Sequence, residues 1–137
     1  MIIRQPGMIV PGSVNTDSLI NTVDLMPTLL ELAGVSVPGG LDGQSFKALC
    51  YGEKNPGFEE TFSVNPDGRM LRFGKYKYIR SRIYGEEYEI LFDLQADPGE
   101  TINIFDKPGY RPVSARARQR LSDWLAQEKL GVTFEPI

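Results

Sequence analysis

Acidic and amide side chains that could bind a metal ion lie close together in the second half of the chain. Asp93, Asp97, Glu100 and Asn103 carry oxygen atoms of the kind that calcium prefers. Their spacing does not match an EF-hand loop, and the Pro-Gly pair that follows Asp97 explains this residue as one that initiates a turn. We therefore expect these residues to support a loop, and we expect no metal site in this chain.

Three arginines, Arg69, Arg80 and Arg82, are the candidates for contacting a substrate. They lie at predicted strand ends or beside a turn at residues 83–85, where a side chain can reach a pocket. A guanidinium group presents paired N–H donors, and these suit a sulfate or carboxylate group on a glycan. The sequence therefore predicts these three residues as substrate-pocket residues.

The net charge of -3 conceals two blocks of opposite sign. Residues 69–82 contain six basic residues and no acid, whereas residues 86–106 contain seven acids and no base. If the two blocks form neighbouring antiparallel strands, their charges face each other and largely cancel. In the alternative, the basic strand binds single-stranded nucleic acid, with Tyr76 and Tyr78 as stacking platforms. We favour cancellation and expect no nucleic-acid partner.

Several classes of function are excluded by composition. The chain has no histidine, which removes imidazole bases, Ser-His-Asp and Cys-His nucleophiles and histidine metal ligands. Cys50 is the single cysteine, so intrachain disulfides and thiolate zinc sites are also excluded. No apolar run exceeds four residues, so we expect neither a membrane span nor the hydrophobic stretch of a signal peptide. We identify no catalytic residue in this chain.

The first part of the chain is predicted to contain a short buried strand end and two helices. Ile2 and Ile3 indicate the strand end, and the Pro-Gly pairs at residues 6–7 and 11–12 predict turns. A buried helix is predicted over 24–33, with Asp24 as its N-cap and Gly34 at the left-handed position after its end. A second, short helix should follow near residues 45–50, with Phe46, Leu49 and Cys50 on its inner face.

The hydrophobic period changes to two after residue 58. This alternation predicts four strands, at 61–64, 69–73, 76–83 and 87–94, separated by tight turns. The last segment has helical spacing of its apolar residues, which are Val113, Ala117, Leu121, Trp124 and Leu125. A four-stranded antiparallel sheet packed by a C-terminal helix forms a small α+β unit.

Five short motifs occur in an order that resembles a known family. They are IIRxPG at 2–7, VDLxPTLLxLAG at 23–34, LDGxS at 41–45, MxRxGKYKYI at 70–79 and LFDLxxDPGETxN at 91–103. In this order they resemble the last third of type I sulfatases, within the alkaline-phosphatase-like superfamily. The resemblance covers nearly the whole chain.

This resemblance implies a parent enzyme that hydrolyses sulfate esters. In such enzymes a cysteine in a Cys-x-Pro-Ser-Arg context becomes formylglycine, a calcium ion held by Asp and Asn residues organises the sulfate, and Lys and His residues assist. None of these motifs is present here, because Cys50 lies in Leu-Cys-Tyr-Gly-Glu. Calcium and formylglycine are therefore implied for the full-length parent only, and we expect this chain alone to be inactive.

We interpret residues 1–57 as the C-terminal remnant of the sulfatase catalytic α/β domain and residues 58–137 as the sulfatase C-terminal α+β subdomain. The implied partner is the missing N-terminal catalytic portion, which this chain would support while lending loops to the substrate pocket. We also expect residues 1–57 to be mobile or to associate with a second copy of the chain. The alternatives are a stand-alone module that binds anionic glycans or other partners, and the tail of another alkaline-phosphatase-like hydrolase.

Overall fold

The structure, a computed structural model, describes residues 1–53 and 58–128. Contacts between residues divide the chain into two units, Met1–Glu59 and Glu60–Ile137. The sequence-based division after residue 57 concerns the domains of a parent enzyme and stays a prediction. No helix among the described residues is long and apolar enough to span a bilayer.

The first unit contains the helices α1 (Leu25–Leu32) and α2 (Lys47–Cys50). The predicted strand at Ile2 and Ile3 is wrong for this chain, because the described part of the first unit contains no strand and Ile2 is 97% exposed. A strand needs a neighbour that accepts and donates its backbone hydrogen bonds, and the residues of this unit that the structure describes offer none. The predicted turns are confirmed: Gly7 is left-handed, and the Met8 N–H donates to Gln5 O over 3.2 Å.

Asp24 connects the start of α1 to a distant loop. It is buried and occupies the predicted N-cap position, but its carboxylate does not cap α1. It accepts instead the N–H of Asn21 at 2.7 Å and the N–H of Gln44 at 3.0 Å. Gly43 comes so close to the same turn that an added Cβ would lie 2.0 Å from the carbonyl oxygen of Val23. The glycine of the LDGxS motif therefore has a packing reason.

Thr28 joins the two helices of the first unit. Its hydroxyl donates to Asp24 O at 2.6 Å and accepts the N–H of Phe46 at 3.0 Å, and the side chain is buried. Phe46 and Leu49 form the predicted inner face of α2 and cluster with Phe58. The opposite side of α1 and of the 3-10 turn that leads into it stays open, since Val23, Met26 and Leu29 are 48%, 53% and 59% exposed.

The second unit is a four-stranded antiparallel meander followed by one long helix. Its strands are β1 (Glu60–Asn65), β2 (Gly68–Phe73), β3 (Tyr76–Ile83) and β4 (Glu86–Asp93), which lie in chain order in the sheet. The helix α3 (Arg111–Gln127) covers one face. The α+β fold class with a four-stranded sheet and a packed C-terminal helix is confirmed.

The core of the second unit lies between the sheet and α3. Leu71, Tyr78 and Leu91 occupy neighbouring positions on three strands, and all three are fully buried against Ala117 and Leu121 of the helix. Trp124 lies at the margin of this core and stacks on Phe62 with ring centroids 4.5 Å apart. The predicted alternation of β3 is confirmed, because Tyr78 faces the helix and Lys77 faces away from it.

Candidate anion-binding groove

The acidic residues that follow β4 are already bound to protein groups. Asp93 is buried and contacts Lys75 Nζ at 2.7 Å, which lowers the pKa of its carboxyl group. Asp97 accepts the N–H groups of Thr101 and Ile102 at 2.7 and 2.8 Å, and these bonds lower its pKa as well. Within residues 1–53 and 58–128, no group of three or more His, Cys, Asp or Glu side chains could hold a metal ion.

Asn103 closes part of the free edge of the sheet. Its Oδ1 accepts the N–H groups of Leu91 and Phe105, each at 3.0 Å, and its Nδ2 donates to Glu89 O at 3.1 Å. The Ile104 N–H then donates to Leu91 O at 2.9 Å. The side chain and the next residue thus take the place of a fifth strand beside β4, so the LFDLxxDPGETxN motif has a structural role.

Residues of the basic block pair with residues of the acidic block, as predicted, on β4 and in the loop that follows it. Arg80 Nη2 contacts Glu87 Oε2 at 2.8 Å, and Lys77 Nζ contacts Glu100 Oε2 at 2.6 Å. Together with the pair at Asp93, these contacts place an acidic partner beside three cations of the basic block. Three of the six basic residues in the block therefore have an acidic partner from the second block.

Glu89 fastens α3 to the sheet. It accepts hydrogen bonds from both Nε (2.8 Å) and Nη2 of Arg118, and also from the hydroxyl of the buried Tyr78. The Arg118 guanidinium lowers the pKa of Glu89 and has its own pKa raised in return. Burial, followed by the bond to Glu89, raises the pKa of Tyr78.

A groove of about 530 Å³ lies at the end of the sheet where the β1–β2 and β3–β4 turns meet. The turn residues Asn65, Asp67 and Tyr84 form part of its rim. Apolar side chains from the face of the sheet away from α3 line it beside serine hydroxyls and cationic groups. These further lining residues are Ser63, Gly68, Arg69, Met70, Lys77, Ile79, Ser81, Arg82 and Ile83.

The structure brings two of the three predicted arginines to this groove. Arg69 is only 2% exposed, and its Nη1 donates to Gly68 O at 2.8 Å and to Asn65 O, so it holds the β1–β2 turn in shape. Arg82 is half-buried and its Nε donates to Gly85 O at 3.3 Å. Arg80 is not among the lining residues and pairs with Glu87 instead.

Tyr84 is a groove residue that the sequence analysis missed. It is fully exposed on the turn between β3 and β4 and has φ +53. The signal was present in the sequence as a bulky residue directly before Gly85 in a two-residue hairpin turn, where Asn or Gly is usual. Cys50, in contrast, belongs to the apolar cluster of the first unit, and burial raises the pKa of its thiol.

A family model described as N-sulphoglucosamine sulphohydrolase, C-terminal, matches residues 1–127. The chain belongs to this family. The resemblance to the C-terminal portion of sulfatases is thereby confirmed, and it covers nearly all of the described residues.

Curated relatives of this sulfatase C-terminal region are themselves sulfatases. It is 36% identical over 118 residues to a Delta 4,5-hexuronate-2-O-sulfatase of Bacteroides thetaiotaomicron, covering 79% of this chain and 24% of the relative. It is 32% identical over 158 aligned residues to arylsulfatase A of Bos taurus, covering 96% of this chain and 31% of the relative. The chain therefore spans about a quarter to a third of the length of these relatives.

Solved structures share the fold. A 2-O GAG sulfatase matches with a TM-score of 0.70 at 34% identity, covering 83% of this chain and 27% of that protein. A phosphonate monoester hydrolase from Silicibacter pomeroyi matches with a TM-score of 0.72 at 23% identity, covering 90% of this chain and 28% of that protein. The second likeness concerns the fold alone, which is common to both kinds of hydrolase.

Proposed function

We propose that this chain works as the C-terminal portion of an enzyme that hydrolyses sulfate esters and that it performs no chemistry by itself. The observation that carries the proposal is the family match over residues 1–127, combined with the chain's share of a quarter to a third of its sulfatase relatives. The nucleophile and the groups that hold the reacting sulfate belong to the remaining portion, which is the partner of this chain.

The residues present here do not fit a calcium or a formylglycine site. The carboxylates of Asp93 and Asp97 already bind a lysine and backbone N–H groups. Cys50 lacks the Pro, Ser and Arg context that the resemblance requires, and burial raises the pKa of its thiol. We therefore assign both groups to the rest of the parent enzyme and derive no step through them.

The open side of α1 supports a packing role. Val23, Met26 and Leu29 expose about half of their surface each, on one side of a helix whose other side is held by Thr28. Apolar side chains that recur along one helix side usually pack on another surface. In the proposed enzyme that surface belongs to the catalytic portion, and in the isolated chain a second copy takes its place.

The groove is the part of this chain that contributes to substrate binding in the proposed enzyme. Arg82 is among the residues that line it, and Arg69 keeps the neighbouring β1–β2 turn in shape. Arg80 holds the β3–β4 hairpin together through Glu87. A guanidinium group binds a sulfate or a carboxylate in the same paired geometry, so the expected substrates are sulfated saccharides.

A chimeric enzyme tests this proposal. This chain replaces the matching C-terminal portion of the Bacteroides hexuronate-2-O-sulfatase, and turnover of a 2-O-sulfated unsaturated hexuronate is measured. We expect turnover by the chimera and none by this chain alone or by the relative truncated before the match. Arg82→Gln in the chimera should raise KM more than it lowers kcat, because Arg82 binds and does not react.

Two outcomes contradict the proposal. One is turnover of 4-nitrophenyl sulfate by this chain alone above a protein-free control. The other is a chimera that unfolds cooperatively on heating, and is therefore folded, yet turns over no sulfate ester. Thermal unfolding separates the second outcome from a chimera that has failed to fold.

A further inference from the structure

Arginine side chains attach α3 to the rest of the second unit. Three of them lie over aromatic rings, with guanidinium-to-centroid distances between 5.1 and 5.7 Å. The pairs are Arg116 with Phe73, Arg118 with Phe105, and Arg120 with Phe62. Arg118 and Arg120 also bind carboxylates on the two outer strands, Glu89 of β4 and Glu60 of β1. The attachment of α3 therefore depends on charge as well as on apolar burial.

The apolar contact beneath α3 is small for a helix of its length. Ala117 and Leu121 are its buried apolar residues, whereas Val113, Trp124 and Leu125 are only partly buried. The four strands pair with one another in chain order and need no residue of α3 for their ladder. Release of the helix would break the helix contacts and leave the strand pairing in place. Such partial opening requires less free energy than global unfolding.

An exposed segment immediately before α3 can act as a hinge. The chain is held at the edge of β4 up to Ile104, and α3 begins at Arg111. Residues 106–109 are exposed, and an added Cβ at Gly109 would meet nothing within 4 Å. The Lys107 N–H donates to Ile104 O over 3.1 Å, a local bond. Four residues extend over about 14 Å, so rotation here can carry α3 away from its own sheet.

A second copy of this chain supplies the helix that fits the vacated surface. An exchanged α3 sets the same apolar residues on the same core, and it brings Arg118 to Glu89 and Arg120 to Glu60 of the other copy. Every contact of the helix is then re-formed between chains. Exchange of an identical element is therefore a low-cost route to a dimer, and a high protein concentration offsets the lost translational freedom.

We propose that α3 is an exchangeable helix through which two copies of this chain form a dimer, each α3 lying on the sheet of the other copy. This interface belongs to the second unit and differs from association through the open side of α1. The inference goes beyond the proposed function and does not depend on it.

The native 137-residue chain tests the proposal directly. Equal amounts of carbon-13-labelled and unlabelled chain are unfolded together in urea and refolded at millimolar concentration, and the dimer is isolated by gel filtration. Isotope-filtered NMR then detects contacts between copies. We expect nuclear Overhauser effects from the Leu121 methyl groups of one copy to Leu71 and Leu91 of the other, because a dimer without exchange makes these contacts within one chain.

Reversed charges supply a second readout. Glu60→Arg places two cations at the contact with α3 within one chain, and Arg120→Glu places two anions there. When the two variants are refolded together, exchange of α3 restores opposite charges in both halves of the heterodimer. We expect the heterodimer to exceed the mean of the two homodimers by about tenfold in native mass spectrometry.

An ion pair outside the second unit provides the matched control. Lys47 and Glu31 lie 3.7 Å apart in the first unit, so Lys47→Glu refolded with Glu31→Lys should show no such preference. Urea unfolding monitored by Trp124 establishes that each variant is folded. The NMR experiment on the native chain decides the matter if a charge-reversed variant fails to fold.

The inference is overturned if the native chain stays monomeric at millimolar concentration, or if its dimer shows contacts between Leu121 and Leu71 only within one chain. Equal heterodimer preference for the two ion pairs would also contradict it. Loss of the dimer in the double variant Met26→Asp and Leu29→Asp would assign association to the open side of α1 and overturn exchange, whereas persistence of the dimer supports it. An inactive, folded chimera would remove the proposed function and leave this inference standing.

Discussion

Replacing Asn103 should destabilise the second unit through the edge of its sheet. Asn103→Ala removes two bonds of 3.0 Å, to the N–H groups of Leu91 and Phe105, and one bond of 3.1 Å to Glu89 O. Leu91 is fully buried, so water does not replace the bond that its N–H loses. At about 1 kcal/mol for each bond, we expect the free energy of unfolding to fall by about 2–4 kcal/mol.

Urea unfolding monitored by Trp124 fluorescence measures this change. Trp124 is the only tryptophan and belongs to the second unit, so its signal reports that unit. Asn103→Asp is the matched variant, because a carboxylate accepts both N–H groups but cannot donate to Glu89 O. The free energy of unfolding should fall in Asn103→Asp, but by less than in Asn103→Ala. A loss below about 0.5 kcal/mol for alanine, at unchanged m-value, would refute the reasoning.

Three further outcomes are expected. Thr28→Val, which removes a buried hydroxyl, should lower the stability of the first unit by about 1–3 kcal/mol by native-state hydrogen exchange, whereas Thr28→Ser should cost less. Gly43→Ala should cost about 2–3 kcal/mol in the same measurement because of the contact with Val23 O, while Gly39→Ala, with open space around it, should change little. The pKa of Glu89 is lowered in the folded chain, so this carboxylate adds stability above about pH 4.3, and that stability is lost as the pH falls through the lowered value. Between about pH 5 and about pH 3, the urea midpoint should therefore fall less steeply in Glu89→Gln than in the parent chain. An equally steep loss in that variant would contradict the role of this carboxyl group.

The second unit could be predicted because its signals are local. Alternating apolar residues and tight turns determine the strands, and β3 begins at Tyr76 and ends at Ile83 as predicted. The pairing of the opposed charge blocks could also be predicted, because β3 and β4 are neighbours and Arg80 on one contacts Glu87 on the other. Periodicity and charge are properties of short segments, so they can be read without knowledge of distant contacts.

The first unit and the groove depend on contacts that no short segment reveals. A strand at Ile2 requires hydrogen-bonding neighbours, which apolar character alone does not supply. Arg69 has the composition of a surface residue, yet its guanidinium is buried against the carbonyl oxygens of its own turn. Arg80 and Arg82 are two residues apart on one strand, but one pairs with Glu87 and the other lines the groove.

The meander order of the sheet has a consequence for the rate of folding. Each strand pairs with the strand that precedes it in the chain, so the loops that must close are two residues long between β1 and β2, β2 and β3, and β3 and β4. Short loops lose little chain entropy when they close, and proteins dominated by such local contacts fold fast for β-rich structures. The contacts of α3 with β1 are distant in sequence and therefore slower to form; one of them joins Arg120 Nε to Glu60 Oε2 at 2.7 Å, between residues sixty positions apart. Formation of the hairpins should therefore precede the docking of α3, which makes the helix the last element to order and the first to detach.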